Sequence, residues 1–126
     1  MNESIQATLV KANRAVQAAK TLLKNGDFNF AVSRAYYAMF YAVKAMLASH
    51  DFTFRKHGGV HAAFGEHFVK TKKVDEKNHR WLLDAFGQRL LGDYEIHMQV
   101  DREDVEEGLR HAEDFVSEAT KFLKSP

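Results

Sequence analysis

Two groups of residues in this chain have the types and spacing for chemistry on an anion. Arg89 and Asp93 stand four apart in RLLGD, so on a helix the carboxylate lies one turn from the guanidinium and can tether it. An arginine held this way points its remaining N–H groups as a fork that matches a phosphate. The second group is Ser33, Arg34, Tyr37, Tyr41 and Lys44, which share one arc of a helix at about 100° per residue. Two cations and two phenols on one arc suit a phosphate or a base. Both groups also have a plainer reading. The stripe can satisfy itself or bury its stems on a neighbouring helix. The pair lies within an apolar arc of Trp81, Leu82, Leu83, Ala85, Phe86, Leu90 and Tyr94, where an ion pair can serve simply to fix helix register.

Other chemistries find less support. His57 and His61 are four apart, with Glu66 and His67 following, and i, i+4 histidines on a helix can chelate a divalent ion. The run HGGVH starts with two glycines, which places His57 before the helix, and the glutamate of a zinc-protease motif is missing. No metal site and no cofactor are expected. Gly58-Gly59 is no phosphate loop, since no strand precedes it and no Gly-Lys-Ser/Thr follows. Cysteine is absent, so disulfides and thiolate zinc sites are excluded, and no serine has a recognisable partner set.

The elements that must position these residues are helical. Ile5, Leu9, Ala12, Val16, Ala19 and Leu23 step by four and three, predicting a first helix closed near Gly26. Asp27 is placed to cap a second, running to about Ser49. That helix has three faces: the polar stripe, an alanine face (Ala31, Ala35, Ala38, Ala42, Ala45), and a bulky face from Val32 to Leu47. Such a helix is surrounded on most sides. His50–Gly59 reads as a loop whose Phe52 and Phe54 must fold back or bind something. A third helix is expected from about Gly59 to Lys70, and a fourth from Asp75 to about Asp93. The last is opened by Asp101 with Asp104 as a capping box and carries Val105, Leu109, Ala112, Val116, Ala119 and Leu123 inward. The expectation is an all-α, five-helix up-and-down bundle forming one domain over residues 1–126.

Charge divides the chain. Residues 51–80 hold seven Lys/Arg against four acids, whereas residues 93–118 hold ten acids against Arg102 and Arg110. The net charge of +1 argues neither for nor against nucleic acid, and solvated helix faces compete with a phosphate-binding surface as the reason for the asymmetry. The N-terminus reads as no secretory signal, and no apolar run approaches the ~20 residues that span a bilayer. A cytoplasmic location without membrane contact is expected.

Three segments carry a resemblance. SRAYYAMFYAVKAML (33–47), FRKHGGVHAAFGEHFVKTKKV (54–74) and RLLGDY (89–94) together resemble the HEPN family (higher eukaryotes and prokaryotes nucleotide-binding), in particular its short, stand-alone prokaryotic members. The likeness runs over nearly the whole chain. It implies a helical bundle, commonly a homodimer, whose second and fourth helices line a shared cleft. It also implies a minimal nucleotidyltransferase as partner in a toxin–antitoxin pair. Toxin members are metal-independent endoribonucleases in which an arginine steadies charge and a histidine four to six residues later transfers protons. Arg89 fits the arginine's place. In the histidine's window stand Asp93 and Tyr94, and His97 lies further along.

Three functions follow as expectations. The first is nucleotide or RNA binding through Arg89 with Ser33, Arg34, Tyr37, Tyr41 and Lys44. The second is a ribonuclease using Arg89 with Asp93, Tyr94 or His97. The third is a non-catalytic helical module that docks a partner on its alanine face. The resemblance also marks Tyr94 as a tyrosine onto which a nucleotidyltransferase would transfer AMP.

Overall fold

A computed structural model describes residues 1–54, 56–97 and 99–125. Arg55, counted above in the basic stretch, lies outside them, as do Met98 and Pro126. The described residues form five α-helices: α1 (Glu3–Lys24), α2 (Phe28–Ser49), α3 (His57–Phe64), α4 (Glu76–Tyr94) and α5 (Arg102–Lys124). A π-helical stretch, Gly65–Val69, extends α3. There is no strand among the described residues, and the all-α bundle is as the periodicity predicts.

The centre is α2, which packs on α1, α3, α4 and α5. Its alanine face is spent inside the chain. Ala35, Ala38 and Ala42 join one apolar cluster with Ala12, Ala15 and Ala19 of α1. Ala45 meets Ile5 and Leu9, and Ala31 meets Val105 of α5. Small residues on both helices let the backbones approach closely. This corrects the expectation that the alanines dock an external partner, because none of that face is exposed.

The turn from α1 to α2 is tight. Gly26 takes φ +81, a left-handed conformation that glycine adopts without a Cβ penalty. The Asp27 N–H then donates to the Leu22 carbonyl at 2.8 Å. Asp27 precedes α2 as expected, but its side chain makes no capping hydrogen bond. Asp101 behaves likewise at α5, so the anticipated capping box is not formed. Capping side chains are found at Asn2, which accepts from the Ile5 N–H at 2.8 Å, and at Asp75, which accepts from the Lys77 N–H at 2.9 Å.

The third helix begins two residues earlier than the glycines suggest, so His57 lies inside it. Phe54 folds back over Gly59, where an added Cβ would stand 3.3 Å from its ring. Phe52 stacks on His67, with centroids 4.3 Å apart. The helix also does not run straight to Lys70. The Lys70 N–H donates to the Gly65 carbonyl five residues back at 2.8 Å, which widens the last turn. His79 of α4 lies against Gly65, 2.9 Å from where a Cβ would be.

On α4 the apolar arc is only partly covered. Leu82 and Ala85 are buried and Trp81 and Phe86 half-buried, but Leu83, Leu90, Leu91 and Tyr94 are exposed. No described helix is long and apolar enough to cross a membrane.

Candidate functional site

The crossing of α2 and α4 brings the two sequence-identified groups together. At Gly92 the helices touch: a Cβ there would lie 2.6 Å from the Asn29 carbonyl oxygen and 3.1 Å from Val32. Arg89 and Asp93 flank Gly92 on α4, and Ser33, Arg34 and Tyr37 continue along α2 from the same crossing.

Arg89 Nε stands 3.0 Å from Asp93 Oδ2. The Nε–H is buried and not directed along a hydrogen bond, so the contact is an ion pair held by position. The Arg89 side chain is 15% exposed and that of Asp93 29%, so the guanidinium is neither free nor sealed. Its carbon lies 5.3 Å from the Tyr37 ring centre and 5.8 Å from those of Tyr36 and Phe86. These faces attract the cation and orient it. Arg34 also reaches Tyr37, at 4.6 Å. Beside them opens a groove of about 450 Å³ lined by Leu22, Phe30, Ser33, Arg34, Tyr37 and Asp93. One wall is thus the carboxylate that tethers Arg89.

Other sequence-nominated residues sit elsewhere. Tyr41 is further along α2, 5.8 Å from the Tyr37 ring and under the Lys11 ammonium at 4.7 Å. Lys44 lies over Phe40 at 5.7 Å. Neither lines the groove. Tyr94 ends α4 with 70% exposure, and His97 is exposed three residues past the helix, without a hydrogen bond or ring contact among the described residues. A second groove, of about 170 Å³, is edged by Asp84, Asp104, Glu107 and His111. Its carboxylates repel a phosphate.

On helix periodicity Tyr36 belongs to the bulky face of α2, and the two glycines predict His57 before its helix. In the fold, Tyr36 Oη lies 2.7 Å from His57 Nδ1 and 2.8 Å from His61 Nε2. The i, i+4 histidines are brought onto one side of α3, but onto a buried phenol. Tyr36 is fully buried and His61 is 7% exposed. Burial pushes the Tyr36 hydroxyl far above the usual tyrosine range, partly offset by Arg89. It also lowers His61 to about 4, aided by His57 and His79. His57 is lowered by burial, then by Arg89 and Lys44. Both imidazoles are neutral near pH 7. Among the described residues, no three or more His, Asp or Glu are grouped to hold a metal ion.

An all-α bundle of five helices among the described residues is the architecture that the HEPN resemblance implies. A sequence model described as HEPN domain matches residues 5–122, and the chain belongs to the HEPN family. A UPF0332 protein of Thermotoga maritima is 39% identical over 114 residues, covering 90% of this chain and 86% of that one. Two Methanocaldococcus jannaschii proteins, both named as candidate toxins, are also similar. One is 31% identical over 96% of this chain and 82% of its own. The other is 35% identical over 98% and 92%.

Proposed function

We propose that the groove between α2 and α4 binds a phosphate of RNA or of a nucleotide, and that the chain acts as the toxin of a toxin–antitoxin pair. The observation that carries the binding reading is Arg89: tethered at 3.0 Å by Asp93 and 15% exposed, beside a groove walled by Arg34 and Ser33. A fixed guanidinium spends little side-chain entropy on binding, and its fork suits a phosphate. The plainer reading, a register-fixing ion pair, accounts for the tether but not for the second guanidinium converging on Tyr37. The toxin role draws support from the two relatives named as candidate toxins. A minimal nucleotidyltransferase is the proposed partner protein, and Tyr94, 70% exposed, is accessible to it as an AMP acceptor.

The chain is proposed to work as a homodimer. Leu83, Leu90 and Leu91 leave an apolar strip on α4, with Phe30 of α2 also exposed. Exposed apolar surface of this kind marks association sites, and pairing it across a two-fold axis would place two grooves side by side.

Titration of a fluorescent single-stranded RNA tests the reading. Wild type is expected to bind, and Arg89→Ala to bind about tenfold or more weakly with unchanged helicity, as for loss of a charge-assisted contact. Equal affinity would overturn it.

A further inference from the structure

The groove edged by Asp84, Asp104, Glu107 and His111 has no use in anion binding. It exists because α4 and α5 pack on α2 far more than on each other. Between them the buried, apolar Val32, Ala35 and Ala85 are left as a floor. Each wall is one helix stripe. Asp84 and Gln88 are four apart on α4, and Asp104, Gly108 and His111 step by four and three on α5, spacings that put side chains on one face. At one end His111 stacks on Trp81, with ring centres 4.2 Å apart and planes 7° from parallel, which joins α4 to α5 there. At the other end lies a second chamber that shares Gln88 and Asp104 and adds Val100 and Asp101.

The lining restricts what fills it. Among the described residues, Asp84, Asp101, Asp104 and Glu107 line the two chambers and no lysine or arginine does. None of these carboxylates has an ion-pair partner among the described residues. Arg102, next to Asp101 in the chain, lies instead over the Phe28 ring at 5.0 Å. Acidic walls on an apolar floor match a side chain with a hydrocarbon stem and a cationic head. The chambers measure about 170 and 190 Å³, below the roughly 300 Å³ at which small-molecule sites begin, so they suit single side chains of a larger partner. Gly108 adds an independent sign. Inside a helix glycine is less stable than alanine, yet a Cβ at Gly108 would meet nothing within 4 Å. Packing does not require this glycine; bare backbone there keeps the groove open.

We propose that the α4–α5 groove docks a basic segment of a partner protein. An arginine or lysine stem lies along Val32, Ala35 and Ala85, with its cation between Asp84 on one wall and Asp104 and Glu107 on the other. A second cation of the same segment reaches Asp101 in the adjoining chamber. Charge complementarity of this kind sets partner choice and speeds association. A second copy offering its exposed Lys70, Lys72 and Lys73 would instead make a head-to-tail contact, which builds open chains unless it closes into a ring. This groove and the one beside Arg89 share no lining residue, so the inference does not rest on the anion-binding reading.

The test uses the full chain and two synthetic peptides, one alternating leucine with arginine and one alternating leucine with glutamate. Binding is read by the fluorescence of Trp81, the one tryptophan of the chain, and located by NMR chemical-shift mapping. The arginine peptide is expected to shift Trp81 emission and the amides of α4 and α5 that face the groove, and the glutamate peptide to do neither. Asp84→Asn combined with Glu107→Gln should bind the arginine peptide about tenfold or more weakly, the scale of lost charge-assisted contacts. Gly108→Leu should weaken it similarly by filling the groove, without a lower melting temperature. Both variants should keep wild-type affinity for RNA. Equal peptide affinity in the double charge variant, or shifts that map elsewhere, would overturn the inference. Spermine or Mg²⁺ displacing the peptide at equal concentration would also overturn it, leaving only a general cation-attracting surface. Wild-type self-association abolished by Lys72→Glu would assign the groove to a second copy and overturn it as well.

Discussion

Gly92 of α4 faces Asn29 of α2 so closely that a single added methyl would stand 2.6 Å from the Asn29 carbonyl oxygen. The obstacle is backbone, which cannot rotate aside, so Gly92→Ala must push the helices apart. Destabilisation of about 1–3 kcal/mol is expected, the usual cost of overpacking. Because Arg89 and Arg34 converge across this crossing, RNA affinity should fall in the same variant. Chemical denaturation and a binding titration check the two effects; unchanged stability would contradict the close approach.

The phenol of Tyr36 serves two imidazoles at 2.7 and 2.8 Å. Tyr36→Phe keeps the ring but leaves His61, 7% exposed, with an unpaired nitrogen. A loss of about 1–3 kcal/mol is expected, the penalty for an unsatisfied buried polar group. Urea unfolding measures it, and a neutral effect would show that the hydroxyl contributes no net stability.

Acid should weaken the fold through the same cluster. His61 titrates near 6.5 unfolded and at about 4 folded, so between those values the unfolded state binds the extra proton. Stability is therefore full above about 6.5 and falls as pH drops toward 4, by on the order of 2–3 kcal/mol for this site. His57 is lowered too and acts in the same direction. Among the described residues, the groups that act most on the pair are Tyr36, His79, Arg89 and Lys44, none of them a carboxylate that would favour protonation. Urea midpoints at pH 7 and pH 5 provide the measurement. The difference should shrink in His61→Asn, and equal loss in both proteins would place the acid sensitivity elsewhere.

The exposed strip on α4 gives a prediction about assembly. Leu90→Glu sets a charge in the proposed dimer contact without touching the core, so sedimentation should show a monomer of unchanged helicity. A wild-type monomer at micromolar concentration would contradict the dimer.

Periodicity made the helices legible, because α1 and α5 each bury one stripe stepping by four and three. The juxtaposition of Arg89 with Ser33, Arg34 and Tyr37 was accessible only through family resemblance, since helix wheels carry no information on which helices cross. The Tyr36 cluster was hidden for two reasons. Tyrosine on an apolar face reads as packing, and Gly58-Gly59 reads as a break although the helix starts at His57. Likewise, the alanine and leucine faces look equally sticky in sequence. Only the fold shows that the first is consumed by α1 and α5 and the second left open.

The central claim is that the Arg89 guanidinium reaches a phosphate, and the salt dependence of RNA binding tests it most directly. Each phosphate contact on single-stranded nucleic acid contributes a slope of about −0.7 to log K against log salt. Arg89→Ala should therefore bind more weakly at every salt concentration and show a slope shallower by about 0.7. An affinity and slope identical to wild type, in a variant that keeps its helicity, would mean that the tethered guanidinium only braces the bundle.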